Sequence, residues 1–161
     1  MISTTEKRTA SEGLGFGAIA GVILLAAEMV AFGPAAALRM PASLVLGFHA
    51  LDSSLGSTYL AGLVVHLLLA AIFGLVYAEL EARLPDEPRR HYGIEIGIAA
   101  VYAALLWLVN IGVATTLVPW LGETSPMKQL VLTVLFYGVP LGWMFAAAKR
   151  RTPQHILPSV G

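Results

Sequence analysis

His66 stands inside GLVVHLLLAAIFG, residues 62–74, the single ionisable side chain in an otherwise apolar run. Polar residues interrupt the long apolar stretches at few other points: Glu28, Asn110, and the stripe Gln129, Thr133 and Tyr137. An ionisable group inside a bilayer is costly, so it is a functional candidate by default, for passage of a proton or cation. The competing reading is structural. A protonated Glu carboxyl hydrogen-bonded to a neutral His or an Asn satisfies every partner without turnover. Glu28, His49, Asp52 and His66 are also of metal-ligand type. No tight motif such as H-E-x-x-H joins them, so no metal is expected. A b-type haem held between two histidines would need a second intramembrane histidine, and none is present.

Helical spacing aims these side chains. At 100° per residue, Glu28 falls within about 20° of Gly17 and Gly21. His66 shares a stripe with Tyr59, Gly62, Ala70, Phe73 and Tyr77, and Asn110 shares one with Ala99, Ala103 and Ala114. Each is expected to point into a bundle. With a rise of 1.5 Å per residue, Glu28 and Asn110 lie about 21 and about 25 Å from the inner boundary. His66 and Thr133 lie about 12 and about 9 Å from the outer one. In a core of about 30 Å these four form one layer, and Glu28, His66, Asn110, Thr133 and Tyr137 are expected to make a buried polar cluster. His49 and Asp52, in the loop above, are expected to be its lid.

The elements that position them are four apolar segments, about 14–38, 58–80, 93–118 and 127–148, each long enough to cross a bilayer. Composition agrees: 57% of the 161 residues are apolar and 12% charged, against about 25% charged in soluble domains. The expected fold is a single all-α membrane domain over residues 1–161, a four-transmembrane-helix bundle with tails at 1–13 and 149–161. The first segment is too long for a signal-peptide core and reads as a retained helix. The absence of cysteine excludes disulfides, zinc–thiolate sites and iron–sulfur clusters. Zero net charge gives no global pull on nucleic acid.

Lys and Arg mark the cytoplasmic side of membrane proteins. Lys7, Arg8, Arg83, Arg89, Arg90, Lys149, Arg150 and Arg151 fall on one side, and only Arg39 and Lys128 on the other. Both termini are therefore expected in the cytoplasm, in a multi-pass inner-membrane topology. Tyr59 and Trp120 then mark the outer boundary, and Tyr77, Tyr92 and Trp143 the inner one. Glu79 and Glu95 read as interfacial ion pairs with Arg83, Arg89 or Arg90. The outer loop MPASLVLGFHALDSSLG is itself apolar, with Leu44, Phe48, Leu51 and Leu55 at helical spacing. It is too short to span, and an interfacial or re-entrant helix between helices 1 and 2 fits it. Residues 85–91, PDEPRRH, read as a polar turn.

The two halves are weakly alike. Residues 17–41 resemble 97–120, and Ser57, Leu67, Gly74 and Ala78 match Ser125, Leu135, Gly142 and Ala146 at a constant offset. This fits two parallel-repeat hairpins about an axis along the membrane normal. Chance similarity among so many Gly, Ala and Leu is the competing reading. Lipid gives helices no hydrophobic reason to associate, so small residues that let backbones approach must do it. Gly13, Gly17, Gly21, Gly62, Gly74, Gly138 and Gly142 are the expected packing positions, helped by Ala70, Ala99, Ala103 and Ala146. The expected result is a tightly packed four-helix bundle; the competing reading is that one such face, Gly138–Ala146, meets a partner or a second copy. Pro140 is expected to kink the fourth helix and free a carbonyl.

The stretches GLVVHLLLAAIFGLVYAEL and LLWLVNIGVATTLVPWL, through the His66–Gly74 segment, Asn110 and Pro119–Trp120, resemble a loose group of small bacterial four-helix membrane proteins. That group is often labelled sodium:proline symporter, although its members are far too short to be that transporter. Its members often open the matching helix of the second half with another histidine, where this chain has Thr133–Val134. The resemblance implies topology and no mechanism. The chain carries no phosphate-binding loop, nucleophile elbow or dinucleotide fingerprint. The expected function is therefore non-enzymatic, with no cofactor and no nucleic-acid partner. It is that of a bilayer-embedded, self-associating or accessory structural subunit of a larger membrane complex. The alternative is a small proton, cation or metal transport protein using Glu28 and His66.

Overall fold

In lipid every backbone N–H and C=O must be satisfied within the protein, and a helix does this inside one segment. The apolar runs accordingly form helices throughout the computed structural model, which describes residues 4–84, 91–117 and 125–151. In order these are α1 (Thr4–Phe32), α2 (Pro34–Leu46), a 3-10 turn (Phe48–Ala50), α3 (Gly56–Glu81) and α4 (Tyr92–Leu117). A last rod follows, made of α5 (Pro126–Thr133), a π-helical turn (Val134–Gly138) and α6 (Val139–Arg151). Four stretches are long and apolar enough to cross a membrane: Ala10–Phe32, Gly56–Glu81, Tyr92–Gly112 and Pro126–Arg150. The protein is an all-α, multi-pass four-helix membrane bundle. Pro119 and Trp120 lie outside the described residues, as do Pro85, Pro88, Arg89 and Arg90.

The first span departs from the expected 14–38. Its helix begins at Thr4 and breaks at Gly33, where φ is +90°. Pro34 has no N–H to continue the ladder and is pre-set for the first turn of a new helix. The short helix between the first two spans is consequently Pro34–Leu46, earlier than the apolar pattern of the 39–57 loop suggested, and it ends at a second left-handed glycine, Gly47, with φ +75°. Leu44, Phe48 and Leu55 of that pattern are exposed. The end of the bundle that carries α2 is termed the cap end.

Two seams of small residues close the two hairpins. Gly13, Gly17 and Gly21 of α1 lie against Ala70, Gly74 and Ala78 of α3: a methyl group added at Gly13 would sit 2.6 Å from Ala78 Cβ, and one at Gly17 2.7 Å from Gly74 Cα. Gly138 and Gly142 lie likewise against α4, and a methyl at Gly142 would sit 2.7 Å from Ile96 Cα and 2.8 Å from Ala99 Cβ. The Gly138–Ala146 face is thus covered within the chain, not presented to a partner. Gly62 lets the α2 backbone approach, with the Leu38 carbonyl against it.

The constant offset read from the sequence recurs in these seams. Ala70, Gly74 and Ala78 use the same spacing as Gly138, Gly142 and Ala146, at the offset that also relates Tyr77 to Phe145 and Glu81 to Lys149. Tyr77 packs edge-on against Phe145 with ring centroids 5.0 Å apart, and Glu81 is ion-paired with Lys149. Equivalent residues that meet each other lie beside a two-fold axis. In the first helices Gly17, which meets Gly74, takes the place that Ala99, which meets Gly142, has in the other hairpin, two residues from the Gly97 suggested by sequence. Between hairpins the contacts are aromatic: Phe16 on Phe145, and Tyr77 on Tyr102, both with centroids 5.2 Å apart.

In the fourth span Pro140 cannot donate a helical hydrogen bond, and the ladder widens just before it, the Val139 N–H reaching back to the Val134 carbonyl. A π turn of this kind is one way a membrane helix re-satisfies backbone groups that proline frees.

Gly74→Leu should lower the melting temperature in detergent by the equivalent of about 3 kcal/mol of overpacking. Gly15→Ala, where an added methyl meets nothing within 4 Å, should melt as the wild type. Equal melting of both variants would contradict the seam.

Candidate functional site

The helical break at Gly33 folds α2 back over the cap end. A cavity of about 170 Å3 lies beneath it, lined by Glu28 and Phe32 of α1, Ala36, Ala37, Met40, Pro41 and Leu44 of α2, His66 of α3 and Gln129 of α5. Three polar side chains from three helices thus share one otherwise apolar chamber. The roof is held down at its middle, where Arg39 Nη2 donates to the Tyr59 hydroxyl at 3.1 Å.

Within the chamber His66 Nδ1 faces Glu28 Oε2 at 3.8 Å. The other ring nitrogen, Nε2, is 2.9 Å from the Gly21 carbonyl oxygen. A carbonyl can only accept, so Nε2 carries a proton and donates it to the second lone pair of that oxygen. This fixes the tautomer. Nδ1 can then meet the carboxyl in only two favourable ways, as a bare lone pair facing a protonated Glu28 or as the second N–H of a cation facing a carboxylate. In both, the Nδ1–carboxyl pair holds one proton in total, on one group or the other, across a 3.8 Å gap. The contact with Gly21 depends on the seam: at Gly21 a methyl group would collide with Ala70 Cβ.

The other expected members of the layer fare differently. Tyr137 is buried at 2% exposure one turn further along, and its hydroxyl donates to the Ala70 carbonyl at 2.8 Å. Thr133 is half-buried and does not line the cavity. Asn110 is not part of the cluster. It is exposed, as are Leu108 and Val109 before it. Trp107 and Ile111 on either side are half-buried, so α4 is only partly covered at this height. The expected inward aim is not met there, although Ala99 and Ala103 on the same stripe are buried. His49 and Asp52 are not the lid: both are exposed and neither lines the cavity, whose roof is Ala36–Leu44. Among the described residues no group of three or more His, Cys, Asp or Glu converges as a metal site.

A second polar centre, unforeseen from sequence, occupies the opposite end. Glu95, fully buried, accepts from the Tyr77 hydroxyl at 2.6 Å and from Lys149 Nζ at 3.0 Å. Lys149 also pairs with Glu81, itself 5% exposed. This corrects the expectation of interfacial pairs. Glu95 bonds a lysine on the last helix, Arg89 and Arg90 lie outside the described residues, Glu79 is exposed, and Tyr77 is a core residue and not a boundary marker. The available signal was the offset that aligns Glu81 with Lys149.

Between the two centres Tyr102 donates to the Phe73 carbonyl at 2.7 Å. One side of α3 therefore bears a polar contact at every turn, at His66, Ala70, Phe73, Tyr77 and Glu81, over a rise of about 22 Å. No family model, no curated protein and no solved structure matches this chain.

Lys149→Met removes the cation paired with two buried carboxylates and should cost on the order of 3 kcal/mol, read as a lower melting temperature in detergent. Adding Glu95→Gln should restore part of the loss. Equal melting of wild type and Lys149→Met would show that the pairing contributes nothing.

Proposed function

We propose that this bundle is a small proton or cation transport protein in which the Glu28–His66 pair holds the transported charge. The observation that carries this reading is the fixed tautomer: with Nε2 committed to Gly21, the remaining ring nitrogen and the carboxyl at 3.8 Å have one proton to share. The pair borders a cavity, as a site that loads and releases must. A row of polar contacts occupies the side of α3 between it and the buried Tyr77–Glu95–Lys149 centre. Intramembrane ionisable residues arranged in this way mark proton relays. The uneven distribution of Lys and Arg supports an inner-membrane orientation with both termini in the cytoplasm and the cap end outside. No catalytic turnover is part of this proposal.

A second reading has its own observation. No residue of α5 is buried, and α4 is uncovered through Leu108, Val109 and Asn110. That surface suits a non-enzymatic accessory subunit covered by a second copy or by another membrane protein, the polar centres then serving as interhelical ties.

In liposomes carrying an internal pH dye, the purified protein should dissipate an imposed pH gradient, and Glu28→Gln should slow this at least tenfold. Equal rates in wild type, Glu28→Gln and protein-free vesicles would reject transport. Recovery from mild detergent as a stable heteromeric complex would then favour the accessory role.

A further inference from the structure

The cap-end cavity offers more than the place of a proton. Once the shared proton leaves, the chamber presents acceptors: the Glu28 carboxylate and the His66 Nδ1 lone pair, since the Nε2 proton is already given to Gly21. The Gln129 amide borders the same space with a carbonyl oxygen available as a third acceptor. Everything else lining it is apolar: the Phe32 ring, the Met40 thioether, Pro41, Leu44 and two alanines.

This combination discriminates between classes of cation. An inorganic ion requires a shell of about four to eight donor atoms at fixed distances. Two or three donors on an apolar wall cannot replace its hydration. An organic ammonium matches both halves of the chamber, because its N–H groups fill the acceptors and its hydrocarbon body takes the apolar wall. The Phe32 face and the Met40 sulfur are favourable neighbours for such a body. The volume sets the size, since about 150 Å3 accommodates a benzene ring, and this cavity holds about 170 Å3.

We infer that the cavity under α2 binds a small primary ammonium compound with a single-ring or short-chain apolar body, in exchange for the proton shared by Glu28 and His66. This rests on the proton-holding role of that pair. The exchange is balanced: one ammonium cation enters as one proton leaves, and the charge of the site is unchanged. Two further charged side chains flank the chamber on the adjoining elements. Lys128 lies 5.7 Å from the Phe32 ring centroid and Arg39 5.6 Å from that of Tyr59. Each is engaged with a ring and neither lines the cavity. The α2 roof is bounded by the two left-handed glycines, Gly33 and Gly47, so it joins its neighbours through the backbone conformations least hindered by side chains.

The test uses the purified full chain in lightly buffered detergent, titrated with benzylammonium, with benzyl alcohol as the neutral isostere and ammonium ion as the bodiless cation. Saturable benzylammonium binding is expected, with one proton released per molecule bound and affinity falling about tenfold per unit drop in pH where the pair is protonated. Both control compounds should bind at least tenfold more weakly. Glu28→Gln should abolish the proton release. Ala36→Phe, which fills the chamber from the roof without touching the ionisable pair, should abolish binding while keeping the wild-type melting temperature. Binding without proton release, equal binding of benzyl alcohol, or Ala36→Phe binding as the wild type would each overturn the inference. Absence of amine binding alongside a Glu28-dependent pH flux in liposomes rejects the ligand and retains the proton role. Loss of that flux dependence rejects the role itself.

Discussion

Much of this structure depends on how close α1 and α3 can come. Hydrocarbon offers no water, so a polar side chain between helices must find its partner inside the protein. The most abundant acceptor there is a helix carbonyl, whose second lone pair is unused by the ladder. His66, Tyr102 and Tyr137 all take that solution, at Gly21, Phe73 and Ala70. Such a bond needs backbones near enough for a side chain to reach across. The Gly13–Gly17–Gly21 seam supplies that proximity for His66. A glycine packing motif that reads as purely structural thereby decides which nitrogen of the imidazole carries its proton, and so what the histidine can do with Glu28.

The two hairpins show what a repeat preserves and what it abandons. Both keep the small-residue seam, which is the part that holds a hairpin together in lipid. At the contact between hairpins the equivalents have diverged into complements, Tyr77 against Phe145 and Glu81 against Lys149. A pair of like residues at the second position would have placed two equal charges together. Nearer the cap end the halves diverge further, for the position equivalent to His66 is Val134. Within the first hairpin α2 folds back between the two spans, and the ionisable pair and its chamber lie beneath it.

The span count, the helix class and the inward aim of Glu28 and His66 were legible in the sequence because each rests on one-dimensional regularity: apolar length, charge segregation and the 100° turn. Depth counting from both boundaries brought Glu28 and His66 to one level although 38 positions separate them. The same arithmetic failed for Asn110, which is exposed although it shares a stripe with the buried Ala99 and Ala103, since a helical wheel reports direction and not how far along the helix a neighbour covers it. It failed for His49 and Asp52 because the roof begins at the Gly33–Pro34 break, inside a run that reads as continuous apolar helix. The Tyr77–Glu81–Glu95–Lys149 centre was hidden by proximity in sequence. Arginines close along the chain looked like natural partners, and nothing local in the sequence pointed to Lys149 on the last helix.

The central claim is that Gly21 fixes the His66 tautomer so that one proton is shared with Glu28. It is tested most directly by solid-state 15N NMR of histidine-labelled protein in bilayers, with the His66 signals assigned from their loss in His66→Gln. The account predicts an Nε2 that stays protonated across the titration, and an Nδ1 resonance that moves with pH in the wild type and changes its response in Glu28→Gln. A neutral imidazole protonated at Nδ1 with a bare Nε2, or an Nδ1 resonance indifferent to Glu28→Gln, would contradict it.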